Sequence, residues 1–121
     1  MTTILIVEDN PLHMTLAATL LELEGYVVLK SGNAGDGLML ARARQPDLVL
    51  MDIMLPDMDG LEAVKKLRAD KATRALKVIV LSSFRDEYNE TEILDSGANA
   101  FLAKPYHHQD FLNTVRSVLG D

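Results

Sequence analysis

Three acids, a hydroxyl and an ammonium group stand at the ends of four short apolar runs in this 121-residue sequence. The groups belong to Glu8, Asp9, Asp52, Ser82 and Lys104. Clustered carboxylates repel one another unless a cation neutralises them, and oxygen ligands suit a hard divalent ion such as Mg²⁺. A lysine and a hydroxyl beside that ion would make a pocket for a phosphoryl group. Asp52 is the natural nucleophile of such a pocket, because aspartyl phosphates are established covalent intermediates.

Asp52 has a simpler interpretation, as the cap of the helix that follows it. It comes directly after the uninterrupted apolar run 48–51, which is typical of a strand buried on both faces. A carboxylate at the end of such a strand loses solvation and needs a donor or a metal as its partner. Asp57 or Asp59 lies closer to the next helix, which weakens the interpretation of Asp52 as a cap.

Strands that alternate with helices must position these residues. Apolar runs predict strands over 4–7, 26–29, 48–52, 78–81 and 100–103, and periodic or capped segments predict helices over 11–24, 33–44, 61–69, 86–96 and 109–119. This alternation predicts an α/β domain with a doubly wound, five-stranded parallel sheet in the flavodoxin-like order 2-1-3-4-5 and helices on both faces. In that fold the functional site lies at the carboxyl ends of the strands, where all five groups would meet.

The first helix is more apolar than a surface helix needs to be. Helical spacing directs one set of its residues to the core and leaves a second set in excess. The core set is Leu16, Ala17 and Leu20, and the excess set is Leu12, Met14 and Leu21. Apolar residues spread so widely around a helix indicate either deep burial, which is the commoner explanation, or a docking surface.

Composition excludes several functions. A chain of 121 residues with 48% hydrophobic residues provides one globular domain with a core. Its net charge of −6 argues against a nucleic-acid partner, which needs a basic face. The absence of cysteine excludes disulfides and thiolate metal sites and favours a reducing compartment. The sequence contains no signal-peptide pattern or membrane-spanning run, and so we expect a cytoplasmic protein with no membrane partner.

The four strand-end motifs resemble those of the receiver domain of bacterial two-component response regulators. The matching stretches are Val7–Asn10, Val49–Gly60, Leu81–Ser83 and Phe101–Pro105. They occur in the family's order and the resemblance covers essentially the whole chain. It implies a single receiver domain over 1–121, of the stand-alone type with no output domain. Val7–Asn10, together with Leu12 and Met14, leans toward the DivK-like cell-cycle regulators within this family.

The resemblance implies a role for each site residue. Asp52 would accept a phosphoryl group from a phosphohistidine on a sensor histidine kinase or a histidine phosphotransfer protein. Asp9, Asp52 and the backbone carbonyl of Met54 would bind Mg²⁺, with Mn²⁺ as the alternative ion. Glu8 would bind that ion through water or support the site. Lys104 would pair with Asp52 and then with the phosphoryl oxygens.

The resemblance also implies a conformational switch. Ser82 would move toward the phosphoryl group and Phe101 would follow it inward, which changes the surface offered to a downstream protein. Because Phe101 has no hydroxyl, packing alone would stabilise its inward state. The family implies a cis bond between Lys104 and Pro105, which is rare elsewhere. Such a receiver is not an enzyme in the usual sense, since it catalyses only its own phosphorylation and dephosphorylation.

Met54 and Phe84 predict slow dephosphorylation. In receivers, the residues two beyond the phosphoacceptor and two beyond the Ser or Thr flank the path of the hydrolytic water. Both residues are bulky and apolar here, and so neither can orient water and both can obstruct it. We therefore expect a long-lived aspartyl phosphate.

Four further residues have modest interpretations. His107 and His108 precede the last helix without a nearby carboxylate and are expected to be surface residues. His13 is expected at the edge of the core or in a docking surface. Ser83 is small and gives a phosphoryl group room.

Alternative functions remain. A phosphate shuttle or sink in a phosphorelay fits the sequence as well as a docking switch does. A metal-dependent phosphohydrolase would need a second acid at the position of Met54. A flavin module would need a hydroxyl- and glycine-rich loop where residues 8–11 are acidic.

Overall fold

A parallel five-stranded sheet forms the centre of the domain. The computed structural model describes residues 1–83 and 88–120. The strands are β1 Thr3–Val7, β2 Val27–Ser31, β3 Leu48–Asp52, β4 Lys77–Ser83 and β5 Ala100–Lys104. They lie in the order β2-β1-β3-β4-β5, and every neighbouring pair is parallel. The predicted doubly wound sheet is confirmed.

Helices connect the strands and cover both faces of the sheet. Within the described residues they are α1 Pro11–Leu23, α2 Ala34–Arg44, α3 Gly60–Ala69, α4 Glu90–Asp95 and α5 His108–Leu119. The first residue of α4 is set by Asn89, which forms a capping box with Glu92; the predicted start at Asp86 lies outside the described residues. In the described ranges, no helix is long and apolar enough to cross a membrane.

Successive residues of each central strand contribute to two different cores. One core lies between the sheet and α2, α3 and α4, and the other lies between the sheet and α1 and α5. In β3, for example, Val49 and Met51 belong to the first core, whereas Leu48 and Leu50 belong to the second. The alternation follows from the two-residue period of a strand. Because both faces are covered, the strands read as continuous apolar runs.

The buried face of α1 differs from the predicted one. Ala17, Ala18 and Leu21 are buried, whereas Leu16 is 42% exposed and Leu12 is 76% exposed. The buried residues are spaced three and four apart and share one side of the helix. Because two of them are alanines, α1 packs with small side chains inward and leaves larger leucines at the surface.

The amino ends of β4 and β5 are joined by Arg68 of α3. Its guanidinium donates to the carbonyl oxygens of Gly97 at 3.0 Å, Arg74 at 3.0 Å and Leu76 at 2.5 Å, and to Oδ1 of Asn99 at 3.1 Å. Burial lowers the pKa of Arg68. These bonds tie α3 to the two segments that lead into β4 and β5.

Candidate functional site

An acidic pocket opens at the carboxyl ends of the strands. Its volume is about 460 Å³. The described residues that line it are Glu8, Asp9, Asn10, His13, Asp52, Met54, Ser83 and Lys104. The structure therefore brings together four of the five groups that the strand ends were expected to contribute, namely the three acids and the lysine.

Strand register explains why these side chains converge. Asp52 lies opposite Leu81, and Lys104 lies opposite Ser83. Asp52 is two residues beyond Leu50, and Lys104 is two beyond Leu102, so both point to the face covered by α1 and α5. Asp52 is level with Leu102, two residues before Lys104, and the long lysine side chain spans this offset to bind Asp52 beside the start of α1.

The ammonium group of Lys104 lies at the centre of the acidic pocket. Nζ donates to Oδ2 of Asp52 at 3.0 Å and to Oε1 of Glu8, and it lies 3.2 Å from Nδ1 of His13. Burial lowers the pKa of Lys104, but hydrogen bonds and attraction to Glu8 and Asp52 outweigh burial and raise that pKa above its ordinary value. Lys104 is therefore a permanent cation that holds the two acids together.

Glu8 is buried, with 3% of its surface exposed. Its Oε2 accepts a hydrogen bond from the backbone N–H of Asn10 at 3.2 Å. Burial raises the pKa of Glu8 to about 7; Asp52 adds to the rise, and Lys104 opposes it. The described residues that line the pocket thus include one ammonium group and three carboxyl groups, and the pocket would stabilise a further cation.

Asp52 is fixed by backbone as well as by Lys104. Its Oδ1 accepts from the backbone N–H of Met54 at 3.2 Å. Gly60 packs on the backbone of Asp52, where a Cβ would overlap the carbonyl group, and donates its N–H to the carbonyl of Ile53 at 2.7 Å. Only glycine permits this close approach.

The cap of α3 is Asp59, and so the interpretation of Asp52 as a cap is wrong. Oδ1 of Asp59 accepts from the backbone N–H of Leu61 at 2.8 Å. Asp57 has a different role, because its carboxylate accepts from the backbone N–H groups of Ala34 and Gly35, each at 2.8 Å. These two bonds lower the pKa of Asp57 and tie the loop after β3 to the start of α2.

The three acids are suitably placed for a metal ion. One oxygen from each of Glu8, Asp9 and Asp52 lies within 4.8 Å of the others. Asp9 is exposed, whereas the other two are buried. A set of carboxylate oxygens beside a cavity fits Mg²⁺, which prefers oxygen ligands and retains several waters. The backbone carbonyl of Met54 stays a predicted ligand.

The hydroxyl that lines the pocket is that of Ser83. Ser82 is half-buried in β4 opposite Ala103, and strand alternation directs it to the other face of the sheet. Phe101 is half-buried on that face, against the core beneath α2, α3 and α4. Ser82 would therefore have to move around the end of β4 to reach a phosphoryl group, and its switching role stays a prediction.

His13 lines the pocket, but sequence reasoning did not place it in the site. It stands in the first turn of α1, where Oδ1 of the N-cap Asn10 accepts from the backbone N–H groups of Leu12 at 2.9 Å and His13 at 3.2 Å. The available sequence signal was its position three residues after Asn10, the N-cap residue that follows the first strand. The predicted cis bond between Lys104 and Pro105 is confirmed. Phe84, the second residue predicted to obstruct water, lies outside the described residues.

Comparisons with known proteins agree on one family. The model of the response regulator receiver domain matches residues 4–116. The polar-differentiation response regulator DivK of Brucella anthropi is 41% identical over 118 residues, which cover 98% of this chain and 96% of that protein. DivK of Brucella ovis is 40% identical over the same shares. The predicted lean toward DivK-like regulators is confirmed.

Solved structures support the same comparison. A putative response regulator from Chloroflexus aurantiacus has a TM-score of 0.93 and 28% identity, covering 99% of this chain and 98% of that one. The receiver domain of the sensor histidine kinase PA1611 from Pseudomonas aeruginosa has a TM-score of 0.90 and 29% identity, with the same coverage. That structure has a magnesium ion coordinated in its active site cleft.

Proposed function

The chain belongs to the response regulator receiver domain family, and on that premise we propose that Asp52 is its phosphoacceptor. Family membership and the similarity to DivK make the chain a phosphorylation-controlled signalling switch. The observation that carries the assignment of Asp52 is its ion pair with Lys104 at the end of β3, inside a pocket that contains two further acids. Glu8 shares this lysine, but burial raises the pKa of Glu8 to about 7 and so disfavours its charged form. A buried carboxylate with a fixed ammonium partner is the group that a phosphoryl donor can reach and that the site can stabilise afterwards.

The proposed donor is a phosphohistidine on a sensor histidine kinase or a histidine phosphotransfer protein. A carboxylate oxygen of Asp52 forms a bond to phosphorus as the phosphorus–nitrogen bond of the donor breaks. The electron pair of that bond stays on the imidazole nitrogen, which takes up a proton. Lys104 then donates to an oxygen of the transferred group, and its raised pKa keeps the ammonium charged throughout.

Mg²⁺ is the proposed cofactor, and Mn²⁺ is the alternative. Asp9, Asp52 and the backbone carbonyl of Met54 would bind the ion directly, and Glu8 would bind through water or support the site. The bound ion supplies positive charge for the phosphoryl oxygens. The proposal is supported by the oxygen cluster of the three acids and by the magnesium ion in the related PA1611 receiver domain.

The signal would leave the pocket through Ser82 and Phe101. Ser82 moves toward the phosphoryl group, and Phe101 follows into the space beneath α4, which alters the face formed by α4, β5 and α5. A downstream protein docks on that face. The phosphoryl group stabilises the active conformation, as a bound ligand would, and so increases its population. Because the donor proteins act in two-component signalling, we place the chain in the cytoplasm.

The kinase is proposed to dock beside α1. Leu12 and Leu16 are exposed on that helix, and Leu16 lines an apolar groove of about 310 Å³ together with Pro105 and Tyr106. This groove adjoins the acidic pocket, so a partner helix seated there would bring a phosphohistidine close to Asp52.

Labelling with phosphoramidate in the presence of Mg²⁺ tests the assignment of Asp52. The wild-type chain and Asp57→Asn should become labelled, because Asp57 lies in the same loop but contacts α2. Asp52→Asn should remain unlabelled on phosphate-affinity gels. Borohydride reduction of the acyl phosphate, followed by peptide mass spectrometry, should find homoserine at position 52. Labelling of Asp52→Asn at the wild-type rate would overturn the assignment.

A further inference from the structure

His13 occupies a place in the acidic pocket that the proposed phosphoryl transfer does not use. Its side chain is 46% exposed, and Nδ1 lies 3.2 Å from Nζ of Lys104. Nδ1 is also 3.8 Å from Oε1 of Glu8, which exceeds hydrogen-bond length. Of these two contacts, only the one with Lys104 is a hydrogen bond.

The chemistry of the two groups fixes the direction of that hydrogen bond. An ammonium group has three N–H donors and no acceptor, so Lys104 donates and Nδ1 accepts with its lone pair. The ring proton is then on Nε2. Lys104 thereby uses its three donors on three acceptors, which are Glu8, Asp52 and His13.

We propose that His13 is a positioning residue for Lys104, a role that rests on the proposed phosphorylation of Asp52. A lysine side chain is a flexible stem with a rotating ammonium group. Glu8 and Asp52 accept from two of its three donors, and His13 accepts from the third, so that all three N–H bonds are held in one rotational setting. His13 thus orients the donors of Lys104 toward Glu8 and Asp52 before a phosphoryl group arrives.

The backbone of α1 makes His13 a fixed support. The N-cap Asn10 binds the backbone N–H of His13, and the buried Ala17 and Ala18 hold the helix against the sheet. His13, Ser83 and Lys104 line both the acidic pocket and the apolar groove. The imidazole therefore forms part of the wall between the two spaces, and a test variant must preserve its bulk.

Two variants separate the hydrogen bond from the bulk of the ring. In His13→Asn, Oδ1 stands one bond beyond Cγ, as Nδ1 does, and can accept from Lys104. His13→Leu replaces the ring with an apolar side chain of similar reach that has no acceptor. With phosphoramidate and saturating Mg²⁺, the limiting phosphorylation rate of His13→Leu should fall about fivefold, the factor that corresponds to one ordinary hydrogen bond.

The rate of His13→Asn should stay close to that of the wild type. Calorimetric titration should give the same Mg²⁺ affinity for all three chains, because none of the three acids has changed. A wild-type rate in His13→Leu, or a rate in His13→Asn as low as that of His13→Leu, would overturn the positioning role.

Nitrogen NMR of the imidazole tests the contact without phosphorylation. At about pH 8, where an imidazole is ordinarily neutral, the wild-type ring should be the Nε2–H tautomer, and Lys104→Met should allow both tautomers. An Nδ1–H tautomer in the wild type would overturn the proposal. If the wild type is never labelled, the proposed function of Asp52 is overturned, and the tautomer alone decides whether His13 supports Lys104.

Discussion

The two ends of the sheet each hold a partly buried cation, and the two cations differ in their partners. At the carboxyl end, Lys104 binds two carboxylates and an imidazole. At the amino end, Arg68 binds three backbone carbonyls and an amide oxygen. In the described residues, the ion pairs include two with Lys104 and none with Arg68.

The pKa values of the two cations respond in opposite directions. Burial lowers the pKa of Arg68, whereas the acids around Lys104 raise the pKa of that lysine despite burial. Carbonyls of folded backbone cannot leave Arg68, but a divalent ion or a phosphoryl group can compete for the partners of Lys104. A buried cation is therefore suited to switching when its acceptors are side chains that another ion can claim.

Removing Lys104 should give the largest effect. Lys104→Met should lower the phosphorylation rate with phosphoramidate and saturating Mg²⁺ by at least about 100-fold, because one preorganised donor to the transferred group is lost. Lys77→Met is the matched control, since Lys77 lies at the amino end of β4 and its Nζ contacts the carbonyl of Leu119 at 3.4 Å. A normal phosphorylation rate in Lys104→Met would contradict the functional role of Lys104.

Removing Arg68 should affect stability rather than chemistry. Arg68→Met should lower the free energy of unfolding by about 2–3 kcal/mol, because it leaves several carbonyls without their donor. Urea denaturation measures this loss, and the phosphorylation rate of the folded fraction should be unchanged. In Arg116→Met, which breaks an exposed ion pair with Glu24, the loss should stay below about 1 kcal/mol. Equal losses in the two variants would contradict the structural role of Arg68.

Replacing Met54 should shorten the life of the aspartyl phosphate. Met54 is 53% exposed, lines the acidic pocket, and its Sδ lies 4.0 Å from Oγ of Ser83. Met54→Asn should raise the hydrolysis rate about tenfold, because an amide can orient water where the thioether obstructs it. Decay of the label after donor removal measures this rate, and Met39→Asn is the control, because Met39 is exposed on α2 and does not line the acidic pocket. An unchanged lifetime would show that Met54 does not limit hydrolysis.

The smallest effect is expected for Asp57→Asn, and it is an effect on the free energy of unfolding. Asp57 lies near the carboxyl end of the sheet but has a structural role. Its folded-state pKa lies below 3.8 because Ala34 and Gly35 donate to its carboxylate. The stabilisation is therefore complete above pH 3.8 and is lost as the pH falls through the lowered pKa. The difference in unfolding free energy between the wild type and Asp57→Asn should shrink over that range. A pH-independent difference would contradict this account.

Most of the fold and much of the site could be predicted because they depend on local patterns and one topological rule. Apolar runs of four or five residues identify strands that are covered on both faces. The doubly wound order then places strand ends at one edge, and this is sufficient to bring Glu8, Asp9, Asp52 and Lys104 together.

The features that were missed depend on packing distances that a sequence pattern does not contain. His13 reaches Lys104 because alanines bring α1 close to the sheet. Arg68 binds segments that are six to 31 positions away along the chain, so periodicity within α3 could not reveal its partners. Whether Ser82 or Ser83 lines the pocket depends on the face of the sheet to which each side chain points at the end of β4.

The contact between Gly60 and the backbone of Asp52 has a consequence for how variants of this domain can be built. A library that randomises the loop after β3 would return glycine at position 60 almost without exception, while the open position of Met54 would accept many side chains. On the proposed roles of Asp52 and Met54, the lifetime of the aspartyl phosphate could then be tuned at position 54 without moving the carboxylate of Asp52. Residues 54–60 thus combine one position that tolerates only glycine with one that tolerates many side chains.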